Sequence, residues 1–272
     1  MARTLEQHEN SDGFVKAGEV IEIRQTSALT LHDRRVLNML IRHAGLHIAG
    51  ETTHVIPIRL LRSPNHKGGE RVKDSIVRLM TTLVQVSTRD SSGAKATFRT
   101  QLLSTTTTSD DENAPGGEVR YSFSPELRRI MEQSQYWGRI KPLVMFAFSS
   151  KYSLGLYEAL CLRRNLDRNE QEIPLAQFRD MLGIPKDKLT EPFNLIRWAV
   201  KPAVEEINKL SDFDVTVEPT REGGKQRGGL LGFRVSWAVK QPDAWDLVVD
   251  ELMRPRLGRK ARLAGTIEQA VF

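Results

Sequence analysis

KYSLGLYEALCLRR (residues 151–164), EIPLAQFRDMLGI (172–184) and TEPFNLIRWAVKPAVEEINKL (190–210), followed by DVTVEP (214–219) and GFRVSW (232–237), read as one connected pattern. Ser149 and Ser150 precede the first segment, and a serine hydroxyl accepts from the free N–H groups of a first helical turn. Tyr152, Leu156 and Leu160 recur every four residues beside Tyr157 and Cys161, which gives one apolar helix face. Arg163 and Arg164 suit the negative end of that helix dipole. Ile173-Pro174-Leu175 opens a second, short helix, because proline is tolerated in a first turn. Leu175, Phe178, Met181 and Leu182 line its inner face, and Gly183 can end it in the left-handed conformation.

A turn over 184–189 and Thr190 as cap lead into a third helix. Phe193, Ile196, Val200, Val204 and Ile207 form its inner stripe, while Asn194, Arg197 and Lys201 share another face. Pro202 sits inside this pattern, where it costs roughly 3 kcal/mol. A kink is expected there, or a helix rebuilt over 202–210. Val215 and Val217, then Phe233, Val235 and Trp237, alternate with polar residues, so two strands with one buried face follow. Between them lies the segment 221–229, with Arg221, Lys225 and Arg227 against Glu222 among four glycines. A flexible cationic tip suits a wing lying along phosphates; an ordinary hairpin loop has the same composition, and the helices before it favour the wing. Helix, short helix, helix and β-ribbon make the outline of a winged helix-turn-helix.

These residues resemble a known family. Lys151 to Leu160, Ile173 to Ile184 and Val200 to Asn208 are similar to the initiator replication proteins of iteron-type plasmids, with Leu156-Tyr157-Glu158 and Pro202…Glu206-Ile207-Asn208 carrying most of the likeness. The resemblance implies two tandem winged-helix domains, an α+β fold. It implies monomers on direct repeats at an origin, and dimers, formed through the first domain, on an inverted-repeat operator of the protein's own gene. It also implies recruitment of a host initiator ATPase and the replicative helicase in a bacterial cytoplasm.

The rest of the chain is consistent with this. Its 272 residues suit two domains of ordinary size. A net charge of +6 favours a polyanionic partner. No apolar run approaches the roughly 20 residues that span a bilayer. The segment 1–10 is polar, unlike a secretion signal, and the single cysteine, Cys161, leaves no internal disulfide or cysteine-based zinc site.

Residues 1–27 read as a flexible segment with a possible strand near Val20 to Ile23. A first domain is expected over 28–145, with a helix after Thr30 (Leu31 to Ala44) and a second over 70–83. Strands follow over 84–88, 96–103 and 119–123, then a helix from Ser124. The Thr/Ser/Asp/Gly-rich segment 104–118 reads as a mobile loop. The second domain takes 146–240. Residues 241–272 give a short helix and a basic tail holding Arg254, Arg256, Arg259, Lys260 and Arg262.

The front of a recognition helix meets base edges in the major groove. Asn194 and Arg197 are therefore candidate base readers, with Lys201 on phosphate. Lys186 and Lys188 in the preceding turn would touch backbone, and Arg221, Lys225 and Arg227 would hold a flanking groove. In the first half the equivalents are Arg71, Ser75 and Arg78, with Lys67 before them; residues 59–78 carry six Lys/Arg against two acids. A solvated helix face is the bland alternative for each. No enzyme is expected and no cofactor or metal. His43 and His47 stand four apart, without a third ligand or a well-placed glutamate. Gly223-Gly224-Lys225 lacks the spacing of a phosphate loop. Competing functions on the same fold are a winged-helix transcriptional regulator and a protein-interaction scaffold.

Overall fold

The computed structural model describes residues 13–25, 29–50, 53–62, 71–89, 92–111, 116–224 and 228–266. The first half runs β1 (Phe14–Ala17), α1 (Gly18–Ile21), β2 (Arg24–Gln25), α2 (Leu31–Ala44), β3 (His54–Pro57), α3 (Val72–Thr81), β4 (Leu83–Arg89), β5 (Lys95–Gln101), β6 (Leu103–Thr108), β7 (Glu118–Phe123), α4 (Pro125–Gln133), β8 (Trp137–Ile140) and α5 (Pro142–Ala147). The second half runs α6 (Lys151–Arg163), β9 (Glu170–Pro174), α7 (Leu175–Leu182), α8 (Pro192–Leu195), a π turn (Ile196–Val200), α9 (Lys201–Leu210), β10 (Phe213–Arg221), β11 (Leu230–Val239), α10 (Pro242–Met253) and α11 (Arg259–Leu263). Each half contains helix, strand, helical turn, helix and antiparallel ribbon in that order, so two winged helices stand in tandem on an α+β chain.

In the second half the ribbon is antiparallel, pairing Val215 with Trp237 and Val217 with Val235. Strand β9 adds to the outer side of β11, with Ile173 opposite Phe233. Phe178 of α7 packs on Phe233 with ring centroids 4.3 Å apart, which seats the short helix on the sheet. In the first half β4 pairs with β5 and β2, while β7 is flanked by β3 and β6.

Helix α6 is the axis of the molecule. Its sequence reads as one apolar face, yet every residue from Ser153 to Cys161 is buried. Elements of both halves pack around it: α1, α2 and β8 of the first, α7 and α9 of the second. Gly155 lets α7 close on it; a Cβ there would lie 2.7 Å from the Met181 carbonyl oxygen and 2.7 Å from Arg34 Nη1. Tyr157 meets the edges of Phe148 and Phe213, at 5.5 and 6.0 Å between centroids. Burial pushes the Tyr157 hydroxyl and the Cys161 thiol well above their ordinary pKa values.

Glu158 on the same helix accepts from Lys16 Nζ of β1 (3.1 Å) and from Asn38 Nδ2 of α2 (2.6 Å). Burial lowers the Lys16 pKa, and the Glu158 carboxylate opposes that shift. A buried charge is tolerable only with such a partner, because an unpaired one loses its hydration for nothing in return.

Four expectations are corrected here. The segment before residue 28 is not simply flexible: Phe14–Ala17 pairs with Trp137–Ile140, and Val20 lies in a helical turn rather than a strand. The partner strand is about 120 residues away, and local patterning does not reveal a pairing at that distance. Leu103–Thr108 is a strand on β7, not part of a mobile loop; its threonines are β-branched and suit a pleated surface. Residues 112–115 of that segment lie outside the described residues, as do 1–12.

Pro174 ends an edge strand and takes the cap position before α7 instead of opening a helix turn; prolines are tolerated at such edge and strand-end positions. The basic stretch after α10 folds back. Arg259 and Arg262 bind Glu251, at 3.2 and 2.8 Å, and the Arg262 hydrogen bond, above all, holds that carboxyl below its usual range. The acid that recruits these arginines lies one helix upstream, outside the cationic stretch itself.

Candidate nucleic-acid interface

The third helical segment of the second half is where most candidate contacts fall. Pro202 cannot donate to the Trp198 carbonyl as an α-helix requires. The chain widens by one residue ahead of it: the Lys201 N–H donates to the Ile196 oxygen, five residues back. Helix α9 then continues with Pro202 in its first turn. The helix is thus rebuilt over Lys201–Leu210, one of the two outcomes expected at Pro202, with a π turn ahead of it.

The widened turn changes which residues face the core. One extra residue rotates the upstream part by about 100° relative to an ideal α-helix. Leu195, Ala199, Val200, Ala203, Ile207 and Leu210 are buried, whereas Phe193, expected inside, is 69% exposed. Trp198 is 58% exposed. Together with Asn194, Arg197 and Lys201, also exposed, they form the outward face. The Arg197 guanidinium carbon lies 4.7 Å from the Trp198 ring centre and 5.8 Å from that of Phe193. The helix starts at Pro192 with Glu191, not Thr190, in the cap position and no side-chain cap.

The turn before this helix is rigidly held. Arg179 of α7 donates to the carbonyl oxygens of Pro185, Lys188 and Leu189. Gly183 ends α7 at φ 66°, a conformation that glycine adopts without penalty. Lys186 is exposed, and Lys188 lies 3.6 Å from the exposed carboxylate of Asp187. At the far end, Lys240 Nζ donates to the oxygens of Asn208, Ser211 and Phe213, closing the helix with a cation where its dipole is negative. Asn208 donates to and accepts from the Val215 backbone, locking α9 to the ribbon. In the wing, Arg221 Nη1 donates to the Gly228 oxygen at 3.0 Å. Lys225 and Arg227 lie outside the described residues.

The first half places its candidates differently. Arg71 is exposed at the cap position of α3. Ser75, expected on the outer face, is fully buried and donates to Asp33 Oδ1 at 2.6 Å. It cannot touch a ligand at the surface; the one-face spacing of 71, 75 and 78 overlooked that α2 packs against α3. Arg78 donates through Nε and Nη2 to the same carboxylate, at 2.9 and 2.7 Å, with its side chain 43% exposed. Thr30 and Asp33 also cap the start of α2 reciprocally. Burial alone would raise the Asp33 pKa; hydrogen bonds from Arg78, Ser75 and Thr30 outweigh it and hold the carboxyl below its usual range. Val77 is exposed on α3, and Lys67 lies outside the described residues.

Sequence spacing identified Asn194, Arg197 and Lys201 as sharing a face, and the structure brings them together. It missed Phe193 and Trp198, which read as apolar and were assigned inward or left aside. The signal that could have exposed them was Pro202, whose accommodation shifts the helical phase upstream. No helix among the described residues is long and apolar enough to cross a membrane.

Two family models match the chain: that of the initiator replication protein first winged helix over residues 14–161, and that of the initiator Rep protein second winged helix over residues 174–233. Among solved structures, the Pi initiator protein in complex with iteron DNA is similar, with a TM-score of 0.55 and 13% identity over 86% of this chain and 99% of that one. No curated protein matches the sequence significantly.

Proposed function

The chain belongs to the initiator replication protein family, and from that premise we propose that it binds duplex DNA at repeated sites of a plasmid origin. The observation that carries this is the exposed face of Asn194, Arg197, Trp198 and Lys201 at the front of the third helix, beside a glycine-rich ribbon. A helix of this kind fits the major groove, and arginine and asparagine suit guanine and adenine edges. In this reading Asn194 and Arg197 meet bases. Lys201, Lys186 and Lys188 meet phosphates, and Arg221 with Lys225 and Arg227 holds the flanking groove. Arg71 and Arg78 serve the first domain, which takes in β1 from Phe14 as well as 28–145, and the second takes 146–240.

The same proposal extends to partners. Single molecules occupy direct repeats, and pairs joined through the first domain occupy an inverted repeat and repress the gene. The bound origin then draws in a host initiator ATPase and helicase within the cytoplasm. No catalytic step is assigned to the chain itself.

A nuclease-protection footprint on the DNA flanking the gene tests the reading. Protection of a repeated sequence is expected, and the gene with those repeats should let a small circle replicate after transformation. Uniform, sequence-blind protection would overturn it.

A further inference from the structure

The outward face of the third helix carries two large aromatic side chains that nothing among the described residues covers. Phe193 is 69% exposed at the second residue of α8, and Trp198 is 58% exposed five residues on. Exposing two large rings on one face is costly in water, and such a surface marks a contact. What surrounds it decides the contact. Asn194, Arg197 and Lys201 share the face, and Arg197 touches both rings. The exposed acids nearby, Glu191 and Glu205, lie to either side of this run.

A protein partner would be met by an apolar patch with a polar rim. Here cation and amide groups stand among the rings, as a surface for base edges requires. One base-edge group is apolar: the 5-methyl group of thymine, which projects into the major groove and takes contacts from side chains such as phenylalanine. We infer that Phe193 is a specificity-determining residue that packs on a thymine methyl group, and that Trp198 is a positioning residue that supports the Arg197 guanidinium on its ring.

The geometry also gives a spacing. Phe193 and Arg197 are four residues apart, about 6 Å along a helix axis, against about 3.4 Å per base pair. The thymine therefore lies within about two base pairs of the guanine that Arg197 meets. The inference rests on the DNA-binding reading above, and adds a base identity to it.

The test uses the full chain and duplexes that it selects from a random-sequence pool. In the selected site, each thymine is replaced singly by deoxyuridine, which deletes one methyl group and leaves all hydrogen-bonding groups in place. Wild-type affinity should fall about three- to fivefold at one or two thymines, the scale of one buried methyl group. Phe193→Ala should bind the thymine and deoxyuridine duplexes equally, while its thermal unfolding stays as in the wild type. Trp198→Ala should keep the thymine preference and lose preference at the neighbouring guanine.

If no sequence is selected, the DNA-binding reading itself fails. If a site is selected but no deoxyuridine substitution matters, or Phe193→Ala keeps the full methyl dependence, the role of Phe193 is overturned. If Trp198→Ala leaves guanine preference intact, the role of Trp198 is overturned. Phe193→Leu, which keeps an apolar tip, should retain part of the methyl dependence.

Discussion

Arg197 and Asp33 show what single residues do in the two halves. Arg197 is exposed, and its guanidinium lies against an indole ring. Its loss opens no core, and on the proposed reading removes a base contact. Arg197→Ala should weaken binding to the selected site by about 1–3 kcal/mol and relax preference at one base pair, with unfolding unchanged; competition binding against single-base variants of the site checks this. Asp33 is the opposite case. Its carboxylate is buried and accepts from Ser75, Arg78 and Thr30. Asp33→Asn should cost about 1.5–3 kcal/mol at neutral pH, the range for hydrogen bonds to a charged group.

Because the fold depresses this carboxyl, its stabilisation is fully present above the ordinary value of 3.8 and is lost as pH falls through the lower folded value. Denaturant titrations at neutral pH and near pH 3 should therefore show the gap between variant and wild type shrinking in acid. A gap independent of pH would mean that the charge contributes nothing. Spacing alone put Ser75 on the same face as Arg71 and Arg78; it could not tell that the turn of α3 carrying Ser75 is the one pressed on α2.

Between residue and molecule, the elements were legible where their signal is local. Alternation gave the β10–β11 ribbon, and Gly183 gave the end of α7. Elements that depend on a distant partner were not legible. Strand β1 needs β8, and the threonines of β6 look like loop until β7 is beside them. Pro202 lies between these cases, since its cost and a helix rebuilt over 202–210 were expected, but the π turn that precedes that helix was not. The π turn absorbs it and sets which side chains face outward upstream.

Pro202→Ala restores an N–H that can donate to Trp198, which favours ordinary α spacing through 196–202. The reading face would then turn relative to the ribbon. Affinity for the selected site should fall about tenfold or more, from the loss of aligned base contacts. Affinity for random duplex should stay nearly constant and thermal stability should not fall. If site affinity is unchanged, the π turn is held by core packing around Ala199 and Val200, and the proline is incidental.

Over the whole molecule, the residues that carry the family likeness are engaged in holding the fold: Leu156, Tyr157, Glu158 and Ile207 are buried, while Glu206 and Asn208 are half-exposed but hydrogen-bonded. Leu156, Tyr157 and Glu158 lie in the central helix, and Asn208 ties α9 to the ribbon. Glu206 accepts from the Ser149 N–H and hydroxyl at the entry to α6. These positions hold α6 and α9 in place, so the family was readable from residues that build the fold, whereas of the outward face of the third helix spacing showed Asn194, Arg197 and Lys201 but not Phe193 and Trp198.

The packing around α6 bears on how the two halves meet a duplex. Glu158 is shared by β1, α2 and α6, and Arg163 of α6 binds Glu22 of the first half at 3.0 Å. With both halves built around one helix, contact by one brings the other to the same molecule of DNA without a flexible tether. The number of phosphates neutralised then measures whether both engage. Each cation lost from a phosphate contact should flatten the slope of log affinity against log salt by about one. Lys201→Ala and Arg71→Ala should each do so on the selected site, and the double variant should flatten it by about two. If Arg71→Ala leaves the slope unchanged while Lys201→Ala reduces it, Arg71 of the first winged helix makes no phosphate contact at that site.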